Sequence, residues 1–195
     1  MSVLDEIFKK VPGFIEQQEL HLLYKLAQNV QHQHVIVEIG SYQGMSTCAL
    51  AAGSKDGRRS CIFAVDLWRK GNDLRYNTES VYNGFKNNIK SFGFERLVTQ
   101  IEDFSENVVN SWVLPVGLLF IDGNHEYNSV KSDFENWSKF LVPNGLVAFH
   151  DYCNPKYPLI TGVQQFVDEE MRQNKKWEYK TLIESTVVFS RKGGD

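Results

Sequence analysis

The chain is poor in cysteine, has no dominant charge and contains no long apolar run, and each shortage removes a class of protein. Three cysteines (Cys48, Cys61 and Cys153) in 195 residues are an odd number at wide spacing, which suits neither a disulfide framework nor a zinc site. Set in or beside apolar stretches, they read as reduced, buried thiols. Lys and Arg total 21 against 24 for Asp and Glu, a formal charge of -3, so there is no basic field to hold a polyanion and nucleic acid is not an expected partner. Apolar residues nowhere approach the roughly 18 in succession that a membrane helix needs. The opening Met1 to Lys10 carries acids and lacks the apolar stretch of a secretory leader. The expectation is a soluble, cytoplasmic protein without a membrane partner.

What the chain does have is globular: 42% apolar and 23% charged residues, close to the averages of folded domains. Its length suits one domain, residues 1–195, with an N-terminal helical segment over 1–33 and a sheet core over 34–195. Short apolar runs without alternation, Val35 to Ile39, Cys61 to Val65, Val116 to Ile121 and Leu146 to Phe149, predict strands covered on both faces. Between them lie stretches of helical period, clearest from Tyr127 to Leu141 and ending at the turn signal Pro143-Asn144-Gly145. Further stripes precede the first strand (Leu20, Leu23, Leu26, Val30) and a weaker strand from Leu97 to Ile101 (Tyr82, Phe85, Ile89, Phe92). Strand and helix alternate, which predicts an α/β fold: a doubly wound, mostly parallel sheet with helices on both faces. The rhythm breaks at the end, where Trp177 to Ile183 and Thr186 to Ser190 are separated by only Glu184-Ser185. So short a link makes an antiparallel hairpin.

In such a sheet ligands bind beyond the carboxyl ends of the strands, and those ends are polar here. The first runs through Glu38-Ile39-Gly40-Ser41-Tyr42-Gln43-Gly44-Met45-Ser46-Thr47 into a helical segment. Its glycines permit a tight turn, and amides at the helix start can face an anionic group. Asp66, Asp103, Asp122 and Asp151 close the following runs. Taken singly, Asp66 or Asp103 reads equally well as a helix cap. The nicotinamide fingerprint, by contrast, needs glycine where Tyr42 and Met45 stand.

Glu38-x-Gly40-x-x-x-Gly44 with Asp66, Asp103 and Asp122 at successive strand ends resembles the class I S-adenosylmethionine-dependent methyltransferases. Adding Phe120-Ile121-Asp122-Gly123-Asn124-His125 and Phe149-His150-Asp151-Tyr152, the chain is similar to methyltransferase family 24 over roughly residues 10–190. The resemblance implies a seven-stranded Rossmann-like sheet whose hairpin supplies the antiparallel edge. It implies that Gly40, Ser41 and Gly44 pass against the methionine part of S-adenosylmethionine, and that Glu38 orients that loop and the ammonium end. Ser46 and Thr47 would lie near the carboxylate, Asp66 would accept from the ribose with Leu67 and Trp68 flanking, and Asp103 with Phe104 would meet the adenine.

For the chemistry, the resemblance implies O-methylation of a small hydroxylated acceptor, such as a sugar or a glycosylated metabolite. Methyl transfer to oxygen needs alignment, a route for the acceptor's proton and exclusion of water. In metal-dependent relatives acids at the fourth and fifth strand ends hold a divalent cation; Asp122, Asp151 and His150 stand there, and the histidine suits manganese better than magnesium. Alternatively His150 or His125 is the general base, with Asp151 or Asp122 holding the imidazole. His125 also has a plainer reading, as a cap of the Tyr127 helix. Arg69, Lys70 and Arg75 lie in a polar segment that could close over an acidic acceptor, or simply be solvated. Leu4, Ile7, Phe8 and Val11 form an apolar stripe that is either packed within the chain or a homodimer contact. A nicotinamide-dependent oxidoreductase and a non-catalytic cofactor-binding regulatory domain are the alternatives in other classes.

Overall fold

The computed structural model describes residues 2–71 and 77–193. Ser2 and Asp5 form a capping box that starts α1 (Val3–Lys10), with Lys9 and Lys10 in its last turn, an arrangement the helix dipole favours. There follow α2 (Gln17–Gln28), β1 (Val35–Ile39), α3 (Met45–Asp56), β2 (Ile62–Asp66), a 3-10 turn (Trp68–Lys70), α4 (Thr78–Ser91) and β3 (Val98–Glu102). Next come α5 (Ser105–Val109), β4 (Val116–Ile121), α6 (Tyr127–Trp137) and β5 (Leu141–Phe149). The chain then runs through α7 (Gly162–Phe166), which widens into a π-helical turn over Val167–Met171, to β6 (Trp177–Ile183) and β7 (Thr186–Arg191). Among the described residues the strands form one seven-stranded sheet in the order β3-β2-β1-β4-β5-β7-β6. Its first five strands are parallel and β7 enters antiparallel between β5 and β6.

Alternate residues of the central strands feed two cores, as the period of two requires. Ile36, Ile62, Ala64, Leu118, Phe120 and Ala148 pack with α1, α2, α3 and α4; Val37, Ile39, Leu119, Ile121, Val147 and Phe149 pack under α6 and α7. This parity carries past the strand ends: His150, two residues after Ala148, returns to the side of α2. Leu4, Ile7 and Val11 of the N-terminal stripe are buried in the first core, while Phe8 is exposed.

Three local readings differ. The turn at Pro143-Asn144-Gly145 lies inside β5, not before it. Leu141 pairs with Val116 and Leu146 with Leu118, so the turn is an excursion of the ladder, and Asn144 takes φ +62 to make it. The Tyr127 helix ends earlier, at Trp137, and closes in a 3-10 turn over Ser138–Phe140. Cys48 is buried as expected, but Cys61 and Cys153 are exposed, because Cys61 precedes β2 and Cys153 sits in the loop after β5. Arg75, one of the three basic residues of the polar segment, lies outside the described residues.

Candidate active site

A cavity of about 1040 Å³ opens beyond the carboxyl ends of β1, β2, β4 and β5, the position that an open parallel sheet reserves for ligands. One end is built by the loop between β1 and α3. Gly40 takes φ +87, and a Cβ placed there would stand 2.1 Å from the Asp122 carbonyl oxygen, so the loops after β1 and β4 touch through a glycine that nothing else replaces. Gly44 takes φ +86 at the N-cap of α3. Tyr42, Trp68 and Asp151 also hold positive φ (+48, +33 and +61), and all three line the cavity. Left-handed backbone at non-glycine positions costs of order 1–3 kcal/mol each and persists where the surroundings impose it.

Asp66, at the tip of β2, ties this end together. Its Oδ2 accepts the amides of Ser41 and Tyr42, both at 2.8 Å, and its Oδ1 accepts the amide of Trp68 at 2.9 Å. Trp68 in turn donates its indole N–H to the Tyr42 carbonyl at 2.8 Å and packs 4.6 Å from Phe85. Trp68 thus supports the loop from beneath while one side of it, with Leu67, faces the cavity. Gly40, Ser41, Ser46, Leu67, Trp68 and Asp66 line that space.

Glu38 and Thr47 stand behind the loop, both fully buried. Glu38 Oε2 accepts the hydroxyls of Ser41 (2.7 Å) and Thr47 (2.5 Å), while Oε1 has no hydrogen-bond partner among the described residues. Burial pushes the Glu38 carboxyl up to about 7 against these hydroxyl bonds. A carboxyl raised in the folded state keeps its proton while the unfolded chain ionises, so its contribution to stability is full below about 4.5 and is lost as pH rises through about 7. Glu38→Gln is therefore expected to gain on the parent by up to about 3 kcal/mol between pH 4.5 and 8. Denaturant melts of both proteins at several pH values measure this; parallel curves would show that Glu38 carries no raised pKa.

Asp103 and Phe104 are not brought to the cavity. The Asp103 carboxylate accepts from Lys70 Nζ (2.9 Å), Asn107 Nδ2 (2.9 Å) and the Phe104 amide (2.8 Å). These bonds, that of Asn107 foremost, hold its carboxyl down at about 2. Arg69 grips Glu102 through Nε–Oε1 (3.0 Å) and Nη2–Oε2 (2.6 Å). Arg69 and Lys70 therefore strap the turn after β2 to the end of β3, with their charges paired to Glu102 and Asp103.

At the other end four side chains converge. Asp122 follows β4, His150 and Asp151 follow β5, and His125 comes from the intervening loop; one ligand atom of each lies within 4.8 Å of the others. His125 does not cap α6, whose N-cap is Glu126. Its Nε2 stands 3.2 Å from Asp151 Oδ2 and 3.6 Å from Asp122 Oδ1, and the side chain is 31% exposed. His150 is buried, with Nδ1 2.9 Å from Asp122 Oδ1 and Nε2 3.4 Å from Glu19 Oε2. His150 Nδ1, in hydrogen-bond contact with Asp122, carries a proton, because two lone pairs would repel, whereas Nε2 of each ring approaches its carboxylate without an aligned hydrogen bond among the described residues. Burial disfavours a charge on His150, yet the Asp122 carboxylate, with Glu19 and Asp151, holds the His150 pKa well above its ordinary value. Burial raises the Asp122 and Glu19 carboxyls, but His150 and His125 outweigh it at Asp122, and His150 with the Glu16 amide and Thr186 hydroxyl outweighs it at Glu19, leaving both low.

Glu19, Asn154 and Ser185 complete a ring that the sequence reading did not find. Asn154 Nδ2 donates to Asp151 Oδ1 (2.5 Å) and lies 3.4 Å from Ser185 Oγ, which donates to Glu19 Oε1 at 2.9 Å. One signal for Glu19 was present: with Leu20, Leu23 and Ala27 it falls on the buried face of α2, where an unpaired acid would be costly. Asn154 and Ser185 carried no signal, since loop and hairpin-turn positions take such residues freely.

A family model described as a methyltransferase domain, methyltransferase family 24, matches residues 37–152. The chain is 38% identical over 121 residues to uncharacterized protein y4gI of Sinorhizobium fredii, covering 60% of this chain but 13% of that protein's length. It is 26% identical over 164 residues to uncharacterized protein R132 of Acanthamoeba polyphaga mimivirus, covering 82% of this chain and 71% of that one. Among solved structures it is similar to an O-methyltransferase from Bacillus cereus in complex with SAH, with TM-score 0.72, 16% identity and coverage of 97% and 90%. It is also similar to the O-methyltransferase TomG from Streptomyces achromogenes, involved in tomaymycin synthesis and solved with SAM, with TM-score 0.71, 18% identity and coverage of 100% and 91%. At these identities the structural likeness is one of fold.

Proposed function

The chain belongs to methyltransferase family 24, and from that premise we propose that it moves the methyl group of S-adenosylmethionine to a hydroxyl of a small acceptor. The observation that carries this reading is one cavity with two unlike ends: a glycine turn clamped by Asp66, and the cluster Asp122, His125, His150 and Asp151. The first end fits the co-substrate by its chemistry. Loop and helix-start amides suit a carboxylate, Asp66 Oδ1, which accepts only the Trp68 amide, keeps a lone pair for a ribose hydroxyl, and the acids Asp66, Asp122, Glu126 and Asp151 in the lining suit a cationic sulfonium. When bound, that group supplies an electrophilic methyl carbon.

The protein's own work is on the acceptor. Asp151 and Asp122 keep the proton on His125 Nε2, which leaves Nδ1 as the ring atom that takes the acceptor's hydroxyl proton. The acceptor oxygen bonds to the methyl carbon in line as the carbon–sulfur bond breaks and the neutral thioether S-adenosylhomocysteine leaves, and the carboxylates stabilise the resulting imidazolium. His150 is buried with a carboxylate oxygen near each nitrogen, 2.9 Å from Nδ1 and 3.4 Å from Nε2. It is neither base nor ligand in this reading and instead fixes Asp122.

A second reading has support in the charge count. Glu19, Asp122 and Asp151 surround one imidazolium, so the cluster keeps an excess of negative charge for a cation to neutralise. The donors Asp122, His125 and Asp151, two oxygens and one imidazole nitrogen, fit a divalent ion of borderline softness such as manganese better than magnesium. These residues would hold it, and it would lower the acceptor hydroxyl's pKa.

Calorimetric titration with S-adenosylmethionine, S-adenosylhomocysteine and NAD, followed by a radiolabelled methyl-transfer screen over neutral sugars, glycosides and catechols with and without chelator, tests the proposal. Micromolar binding of the two adenosyl ligands with labelled product supports it, and loss of turnover in chelator selects the metal reading. Binding of NAD alone indicates an oxidoreductase, while adenosyl binding without product from any acceptor indicates a non-catalytic domain. Asp66→Ala is expected to weaken S-adenosylhomocysteine binding by about 1.5–3 kcal/mol, roughly 10- to 150-fold, since the loop clamp and the ribose acceptor go together. An unchanged dissociation constant in the same calorimeter would remove Asp66 from the co-substrate site.

A further inference from the structure

Helix α2 lies outside residues 37–152, the part matched to the family, yet it delivers a carboxylate to the catalytic end. Glu19 is fully buried. Its Oε1 accepts the Ser185 amide (3.1 Å), the Ser185 hydroxyl (2.9 Å) and the Thr186 hydroxyl (2.8 Å). Its Oε2 accepts the Glu16 amide at 2.9 Å and stands 3.4 Å from His150 Nε2. Capping α2 and tying it to the β6–β7 hairpin would need only a neutral acceptor. Beyond these donors the group against Oε2 is the His150 ring, 3.4 Å away and without an aligned hydrogen bond among the described residues. On the far side of that ring Nδ1 stands 2.9 Å from Asp122 Oδ1, and Asp122 Oδ1 lies 3.6 Å from His125 Nε2. The four side chains form a line from the N-terminal helix to the cavity.

We propose that Glu19 is a positioning residue for methyl transfer: it holds the His150 ring from behind, and through that ring it sets the Asp122 carboxylate against His125. The proposal rests on the reading of this cavity as a methyltransferase site. The N-terminal helices are then part of the site in two ways, since the segment between α1 and α2 also supplies Pro12, Phe14 and Ile15 to the cavity wall.

Glu19→Gln keeps one acceptor oxygen for the hairpin but turns its amide NH2 toward the Glu16 N–H and His150. In the full-length variant the expected result is at least a tenfold fall in kcat on the best acceptor of the screen, with KM for S-adenosylmethionine and Kd for S-adenosylhomocysteine within twofold of the parent. A crystal structure of the variant is expected to show His150 Nδ1 moved beyond 3.5 Å from Asp122. Should Glu19→Gln fail to fold, Ser185→Ala removes one of the bonds that aim Glu19, and a smaller loss of at least threefold with the same split is expected. An unmoved His150 with parental kcat, or a lowered melting temperature at unchanged kcat, would overturn the proposal and leave Glu19 a structural pin. If no adenosyl ligand binds the parent, the methyltransferase reading fails. The crystallographic arm still decides whether Glu19 fixes His150.

Discussion

His125→Ala is expected to slow methyl transfer by about 10²- to 10⁴-fold, the range for losing a positioned general base, while binding of S-adenosylhomocysteine stays within twofold. The loss concentrates in kcat because the imidazole stands with Asp122 and Asp151 at the end of the cavity away from the Asp66 clamp. Stability should change little: the ring is 31% exposed, and its Nε2 has no aligned hydrogen bond among the described residues. Steady-state rates and a thermal melt on the same preparation check both halves. Retention of more than half the parental kcat would show that neither the proton route nor a metal runs through His125. A full loss accompanied by chelator resistance would favour the base over the metal.

Gly40→Ala is expected to abolish co-substrate binding and to destabilise the whole chain. The residue sits at φ +87, and an added Cβ would meet the backbone of Asp122 at 2.1 Å and of Gly123 at 2.8 Å. The backbone conformation alone costs about 1–3 kcal/mol, and the loops after β1 and β4 must also separate to admit the methyl group. At 3 kcal/mol in total, the melting temperature of a chain this long falls by roughly 6–12 °C. Calorimetric unfolding and a titration with S-adenosylhomocysteine measure the two effects. A variant that binds the ligand normally would show that the two loops can move apart freely, and the close approach would then have no part in shaping the cavity.

Much of this architecture can be read along the chain because it is set by neighbours in sequence. The four apolar runs became β1, β2, β4 and β5 because a strand covered on both faces is apolar at nearly every position, with Glu38 in β1 the buried exception. The two-residue link Glu184-Ser185 made the hairpin because no crossover fits in it. The strand-end acids Asp66, Asp122 and Asp151 were legible for the same reason, since a residue that closes a parallel strand is delivered to the ligand edge whatever its partners are. Asp103 shows where that logic stops. It also closes a strand, but its carboxylate is taken by Lys70, Asn107 and the Phe104 amide, and nothing in local sequence tells a ligand-facing acid from a satisfied one.

The sequence by itself determined the order of strands and helices, the edge on which the polar strand ends gather and the glycine turn that one of them needs. Only the tertiary structure decided what each polar group does there. It put Arg69 and Lys70 into ion pairs with Glu102 and Asp103, and of the two histidines lining the cavity it buried His150 between Asp122 and Glu19 and left His125 more open. It brought Glu19, Asn154 and Ser185, up to 166 residues apart along the chain, into one ring. The physical reason is that strand and helix patterns report burial, a property of single positions repeated at short period. The protonation and role of a buried polar group depend instead on the charges and lone pairs within a few ångströms of it, and those are contributed by remote segments that only the packed fold brings together.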